Sequence, residues 1–183
     1  MARGDIQVEN LGSLNHKLAE MRQLDREVRQ GLKKGTEIIR TDAVFRCPTN
    51  HGELRGSIHT KVVKTEDGYQ GIVFTNKDYA GYVEMGTGPV GAANHAGISP
   101  HVNPTYRGDS WWFPGDQVNP ADADKYHWPR YTNSEGKTFY LTSGQPAQPF
   151  MYPAMKSKES AAVEAIQKEV HVKVKKLSQM KGT

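Results

Sequence analysis

The sequence predicts an α+β fold, with N-terminal and C-terminal helices packed on a small antiparallel sheet and a long aromatic-rich loop or hairpin as an insertion. Apolar residues recur at helical spacing near both ends of the chain and alternate with polar residues between them. A chain of 183 residues is the size of one domain. We therefore expect a single domain over residues 1–183, with the insertion at 89–145.

The first part of the chain is predicted to be helical. Apolar residues from Leu11 to Phe45 recur every three or four positions, as they do on the buried face of an amphipathic helix. The pattern predicts helices over 10–22 and 24–46 that end before Pro48, because proline cannot extend a helix. Two glycines four residues apart allow a kink or a close contact with another helix: Gly31 and Gly35.

The middle of the chain changes to the two-residue period of a half-buried strand. Apolar and polar residues alternate over 54–62, Glu66-Asp67-Gly68 has the composition of a tight turn, and Tyr69–Thr75 resumes the apolar pattern. Together these segments predict a β-hairpin. A third short strand or turn is predicted over Tyr79–Met85.

The segment from Pro89 to Gln145 has a different composition. It is rich in glycine, proline and aromatic residues, holds all three tryptophans, and lacks helical periodicity. Such an aromatic content argues against a disordered linker. Trp111–Phe113 and Thr138–Leu141 are predicted as two strands within the insertion. Helical spacing returns after Pro153, which predicts a C-terminal helix.

Charge and cysteine content limit the classes of protein. The net charge of +4 comes from residues 156–183, which hold seven lysines and three glutamates (7 − 3 = +4), so a basic helix tail is expected. The single cysteine, Cys47, excludes an intrachain disulfide. No segment approaches the roughly 18 consecutive apolar residues of a membrane span, so no membrane contact is expected.

Three sequence motifs are more specific than any periodicity. Gly52-Glu53-Leu54-Arg55-Gly56-Ser57-Ile58 follows Pro48, Tyr79-Ala80-Gly81-Tyr82-Val83-Glu84-Met85-Gly86-Thr87 comes next, and Pro149-Phe150-Met151-Tyr152-Pro153-Ala154 precedes the last helix. In this order, over roughly residues 5–178, they resemble the siphophage neck family of head-tail connector or tail-completion proteins. The segment between Gly88 and Pro146 is longer and more aromatic than a minimal member needs. The motif positions are Gly52, Leu54, Ser57, Tyr79, Tyr82, Glu84, Gly86, Thr87, Pro149, Phe150 and Pro153.

The resemblance implies a structural virion protein of a tailed bacteriophage that joins head and tail around the DNA channel. It implies no catalytic, cofactor or metal site, partners among the neighbouring neck and tail proteins, and a location at the head-tail junction after assembly in the host cytoplasm. A junction around an axial channel implies a closed ring of identical copies, for which we expect six. A tail-terminator ring protein is the alternative within the same class.

The motif residues themselves indicate structural roles. Glu84 is expected to accept hydrogen bonds from the backbone of Gly86-Thr87-Gly88 or from an arginine such as Arg55. Pro153 suits the first turn of a helix, where its missing N–H is not needed, and Phe150 and Met151 are expected in the core as the apolar anchor before it.

Two groups of residues allow an enzymatic interpretation beside the structural one. A metal-dependent hydrolase is the alternative from another class, although its candidate ligands lack the spacing of known metal motifs. Cys47 is expected to be a buried structural thiol, the other interpretation being a nucleophile aided by His51. The loop histidines are His51, His59, His95, His101 and His127.

Two groups of residues are candidate partner contacts. Trp111, Trp112 and Trp128 either fill a small satellite core or dock on a neighbouring subunit. Lys173, Lys175 and Lys176 either form a solvated helix face or contact DNA or an acidic partner. A nucleic-acid-binding module is a further alternative, which DNA binding by the folded core instead of the lysine tail would favour.

Overall fold

The computed structural model describes residues 11–179. Both ends of this range are helical, and the strands lie between them, so the α+β prediction is confirmed. In chain order the elements are α1 (Leu11–Arg46), α2 (Glu53–Gly56), β1 (Ile58–Thr65), β2 (Gly68–Thr75), α3 (Ala80–Met85), α4 (Gly88–Ala93), β3 (Trp111–Pro114), a 3-10 turn (Gly115–Gln117), α5 (Pro120–Lys125), β4 (Arg130–Thr132), β5 (Thr138–Thr142) and α6 (Met151–Gln179).

The chain forms two compact units, and each is built from segments that are distant in sequence. The first unit contains α1 up to Asp42, the segment His59–Phe74, and α6 from Ser157 onward. The second unit contains Ala43–Ile58 and Thr75–Lys156. The prediction of one domain over residues 1–183 stays a prediction.

Helix α1 is continuous, so the prediction of separate helices over 10–22 and 24–46 is wrong. The residues at the expected break, Arg22-Gln23-Leu24, are all good helix formers. Gly31 and Gly35 do not interrupt the helix either.

Close packing against α6 explains both glycines of α1. A Cβ at Gly31 would lie 3.1 Å from both the Cα and the carbonyl oxygen of Ile166, and one at Gly35 would lie 3.0 Å from the carbonyl oxygen of Ala162. The backbones of α1 and α6 therefore come close together at the two glycines, where α1 has no side chains. The predicted close helix contact is confirmed.

The hairpin of β1 and β2 packs on another side of α1. A Cβ at Gly71 of β2 would lie 2.5 Å from Cγ2 of Thr36, whose side chain is buried and donates its hydroxyl to the carbonyl oxygen of Leu32 at 2.9 Å. The missing side chain of Gly71 lets the strand approach the helix. The predicted hairpin is confirmed, with Glu66 and Asp67 forming its turn.

The first strand begins four residues later than the alternation over 54–62 predicts. Residues Glu53–Gly56 form the short helix α2, preceded by Gly52 at a φ of 81°. Leu54 and Ile58 are both buried, and Ser57 donates its hydroxyl to the carbonyl oxygen of Leu54 at 2.8 Å. The apolar spacing is therefore satisfied by one helical turn followed by a strand.

The predicted third strand or turn over Tyr79–Met85 is wrong, because Ala80–Met85 is the helix α3. Ala80 is buried, and Glu84 follows it at the helical interval of four residues. Gly86 ends the helix at a φ of 77°.

The insertion contains a small sheet of its own. Strands β3, β5 and β4 lie side by side in this order and are antiparallel, with Trp111 paired to Thr142 and Phe113 to Tyr140. The two predicted strands, Trp111–Phe113 and Thr138–Leu141, are confirmed. Strand β4 and the short helices α4 and α5 lie in stretches that carry no periodic pattern.

Helix α6 begins at Met151, two residues before Pro153, so the proline lies in the first turn as predicted. Phe150 is fully buried, which confirms its predicted place in the core, whereas Met151 is only half-buried and is the first residue of α6. Among residues 11–179, no helix combines the length and apolar character needed to cross a membrane.

Replacing Gly31 with valine is expected to lower the free energy of unfolding by about 1–3 kcal/mol, because the new side chain would overlap backbone atoms of Ile166 that cannot rotate away. The control is Gly56→Val, since no atom lies within 4 Å of a Cβ built there. Urea unfolding of both variants checks the prediction. Equal midpoints would show that the α1–α6 contact tolerates the side chain.

Candidate functional site

The carboxylate of Glu84 binds the N-terminus of α6. It accepts three backbone N–H groups, from Phe150 at 2.7 Å, Met151 at 2.9 Å and Tyr152 at 2.9 Å. The first N–H groups of a helix lack partners within the helix, and their dipoles favour a negative charge. The prediction that Glu84 accepts backbone N–H groups is confirmed, but the predicted donors, Gly86-Thr87-Gly88 or Arg55, are wrong. The observed donors lie 66 to 68 residues after Glu84 in the sequence.

Backbone pairing next to Glu84 joins the two ends of the insertion. Thr87 donates its N–H to the carbonyl oxygen of Gln145 at 2.9 Å, and Gln145 donates to that of Thr87 at 3.2 Å. Gln148 donates to the carbonyl oxygen of Val83 at 2.8 Å. At Gly86, a Cβ would lie 2.7 Å from the nitrogen of Ala147, so only glycine permits this approach.

The first motif contributes a polar network in the same unit. The hydroxyls of Ser57 and Thr75 lie 2.6 Å apart, and Lys77 pairs with Glu53 at 2.6 Å. Arg55 donates to the carbonyl oxygen of Cys47 at 3.0 Å. Each of the three motifs thus supplies contacts that hold the second unit together.

An open cleft of about 1160 Å³ lies between the motif segments and the insertion. Its walls come from the loop after α1, from α3, and from the insertion. The aromatic residues that line it are Tyr79, Tyr82, Tyr106, Trp111, Tyr126 and Trp128.

The three tryptophans have different surroundings. Trp128 packs edge-on against Phe113 at 5.3 Å between ring centroids and stacks on Tyr126 at 5.4 Å, so it belongs to a satellite core of the insertion. Trp111 is half-buried. Trp112 is 50% exposed and meets Tyr131, itself 57% exposed, at 6.3 Å. The satellite-core interpretation is confirmed for Trp128, and docking on a neighbouring subunit stays a prediction for Trp112.

Large apolar side chains remain exposed across the second unit. Tyr82 is 62% exposed and Phe45 is 83% exposed. Aromatic side chains that keep this much surface in a folded protein are typical of the centres of protein interfaces. The exposed aromatic surface is defined here as Phe45, Tyr79, Tyr82, Trp112, Tyr126 and Tyr131.

A polar cluster at the cleft ties the insertion to the loop after α1. The His51 ring nitrogen lies 3.2 Å from one oxygen of Asp122, and Asn50 donates to the other at 3.2 Å. Lys125 donates to Asn50 at 2.8 Å. Hydrogen bonds from His51 and Asn50 lower the pKa of Asp122 below its ordinary value of 3.8. Sequence reasoning missed this pair because its members are 71 residues apart.

The remaining predicted reactive groups are dispersed. His59 packs on Phe74 and His95 stacks on Tyr106. Within the described range 11–179, no group of three or more His, Cys, Asp or Glu residues has a metal-binding arrangement. Cys47 is buried, and this burial raises the pKa of its thiol, which disfavours the nucleophilic thiolate.

The candidate lysines of α6 do not form one patch. Lys173 and Lys175 are two positions apart on a helix, which separates them by about 160° around its axis. The side chain of Lys176 lies outside the described part of the chain. The assignment of these lysines to DNA or an acidic partner stays a prediction.

Comparison with protein families finds a match, and it covers the part of the chain with the first motif and most of the second. Residues 13–86 match the HK97-gp10-like family. Its description reads "Bacteriophage HK97-gp10, putative tail-component". The match covers α1, the hairpin and α3, and it stops before the insertion. Neither the curated proteins nor the solved structures give a match.

The HK97-gp10-like match confirms the resemblance predicted from the motifs. It supports the coarser part of the predicted function, a structural phage tail component and hence a protein of the virion. The insertion and α6 lie outside the matched residues.

Replacing Glu84 with alanine is expected to lower the free energy of unfolding by about 2–3 kcal/mol, because three N–H groups of α6 would lose their acceptor. Glu84→Gln keeps one acceptor oxygen without the charge and should lose about 1 kcal/mol. Denaturant unfolding measures both. The control, Glu135→Ala, removes a carboxylate that is 69% exposed and should change little; a similar loss there would contradict the assigned role.

Asp122→Asn is expected to lower the melting temperature at pH 7 and to have a smaller effect near pH 2. The pKa of Asp122 is lower in the folded than in the unfolded protein, so its carboxylate stabilises the fold above pH 3.8 and loses that contribution as the pH falls through the folded-state pKa. Calorimetry at both pH values tests this. Asp124→Asn, on the same helix, is the control, and an equal effect of the two variants would refute a specific role for the His51–Asp122 pair.

Proposed function

We propose that the protein joins the head and tail of a tailed bacteriophage as a non-catalytic neck or tail-completion component, in a ring of identical copies around the DNA channel. The observation that carries the proposal is the HK97-gp10-like match over residues 13–86. The order of the three motifs, which continues to Ala154, supports the neck assignment within the broader class of tail components.

The exposed aromatic surface supports an assembly role. A ring subunit must bind identical neighbours and at least one different partner, and aromatic side chains supply much of the binding free energy of such interfaces. Trp112 and Tyr131 lie on the two outer strands of the insertion sheet, and their rings meet across β5, while Tyr79 and Tyr82 border the cleft. The proposal assigns these two regions to partner proteins of the neck and tail.

The side chains that could act in catalysis make structural contacts or are buried. Glu84 holds the start of α6, and Asp122 holds His51 and Asn50. Burial keeps the Cys47 thiol protonated. These contacts support a non-catalytic role. The proposed ring contains six copies.

The test is deletion of the coding gene in the phage, followed by electron microscopy of the lysate. The proposal predicts filled heads and complete tails that are not joined, with joining restored by purified protein added to the lysate. Tails of irregular length would favour the tail-terminator ring instead. Normal virions would refute both assignments.

Trp112→Ala is expected to leave the melting temperature within a few degrees of the wild type, because the side chain is half exposed, yet to reduce joined virions at least tenfold. The matched control is Val172→Ala on α6, whose side chain is 49% exposed. Complementation of the deletion phage by each variant gives the plaque yield. Equal yields would show that Trp112 lies outside the functional interface.

A further inference from the structure

Helix α1 carries a row of basic side chains on one face. Arg22, Arg26, Arg29 and Lys33 follow the spacing i, i+4, i+7 and i+11. At 100° per residue they fall within an arc of about 60°, and they extend over about 16 Å of the helix. All four side chains are exposed. We call these four residues the basic stripe.

A fifth cation from the hairpin borders the basic stripe. Lys61 of β1, together with Arg26, Arg29 and Lys33, lines a shallow hollow of about 440 Å³. Aromatic rings support two of the cations: the guanidinium of Arg29 lies 5.7 Å from the ring centre of Tyr69, and Nζ of Lys61 lies 4.9 Å from that of Phe74. Such contacts orient a cation without neutralising it.

Acidic groups near the stripe do not cancel its charge. Glu27 pairs with Arg26 at 3.2 Å, while Asp25 accepts the hydroxyl of Tyr69 at 3.2 Å. Glu37 pairs with Arg40 at 2.5 Å and accepts the hydroxyl of Thr60, which lines the same hollow, at 3.4 Å. The four stripe cations and Lys61 thus outnumber the three nearby carboxylates, of which Glu27 and Glu37 are paired with arginines.

The spacing of the charges fits a polyphosphate better than a folded acidic protein. One strand of duplex DNA carries a phosphate about every 3.4 Å along its axis, and the stripe carries a cation about every 5–6 Å. A straight, exposed row of this density can meet several phosphates of one strand at once. Lys173 and Lys175, on nearly opposite sides of α6, cannot do so together.

We propose that the basic stripe, with Lys61, contacts the phosphate backbone of double-stranded DNA without sequence preference. The inference rests on the proposed function, since a junction protein surrounds the channel through which DNA passes, and it names the surface of the first unit that faces this DNA.

The experiment measures fluorescence anisotropy of a labelled 30-base-pair duplex with the full-length protein, at NaCl concentrations from 50 to 200 mM. The test variant is Arg22→Gln, Arg26→Gln and Lys33→Gln combined, which keeps Arg29 on Tyr69. The control combines Lys168→Gln, Lys173→Gln and Lys175→Gln and removes the same charge. Circular dichroism verifies that both remain folded.

The wild type is expected to bind with a salt-dependent Kd, and the stripe variant to bind at least tenfold more weakly at 50 mM NaCl. Its slope of log Kd against log salt should be smaller by about 2.7, which corresponds to three lost phosphate contacts. The control variant should keep the wild-type slope. An equal loss in both variants, a loss in the control alone, or no binding by the wild type would overturn the inference.

Two further arms separate the alternatives. Competition by poly-glutamate as effective as by unlabelled duplex would assign the stripe to an acidic protein and overturn the DNA contact. Complementation of the deletion phage tests the proposed function separately. A protein that joins heads to tails but shows no stripe-dependent binding overturns only the inference, whereas one that binds DNA through the stripe yet is absent from virions overturns the proposed function.

Discussion

The second unit depends on one carboxylate that holds the start of a long helix. Glu84 lies on α3, and its three acceptor contacts fix the first residues of α6. A charged acceptor forms stronger hydrogen bonds with backbone N–H groups than a neutral one does. It also interacts favourably with the positive end of the helix dipole. Phe150, the first residue bound, is fully buried beside the contact. Polar and apolar forces therefore fix the same point of the chain.

Backbone pairing beside Glu84 explains how the fold tolerates a long insertion. The insertion occupies residues 89–145, and the Thr87–Gln145 pair brings its two ends together. Because the entropic cost of closing a loop grows only slowly with its length, a segment added between fixed ends destabilises the fold little. The HK97-gp10-like match also stops at residue 86. The insertion is thus free to carry its own sheet and aromatic residues without disturbing the matched part.

Local sequence pattern is sufficient for some elements, including strands that pair with distant segments. The hairpin, strands β3 and β5 and the position of Pro153 follow from alternation, turn composition and helix-start chemistry. The pattern over Tyr79–Met85 fits a strand as well as a helix, and a contact made 66 residues later selects the helix. No spacing rule relates Glu84 to Phe150 or His51 to Asp122, since these partners meet only in the folded protein. The apolar interval of three or four residues continues from Met21 to Leu24 and Val28, and it therefore fits the single helix α1 without a break.

The two units have surfaces of different chemistry, and this difference argues for separate partners. The second unit exposes aromatic side chains, which gain binding free energy by leaving water against another protein. The first unit exposes the basic stripe, whose charges gain little from burial and most from a dense row of anions. Net charge alone hides this division, because the excess of +4 lies in the C-terminal segment while the stripe lies in a part of the chain whose total charge is balanced. Helical periodicity, which aligns four cations on one side of α1, creates a local charge density that composition does not reveal.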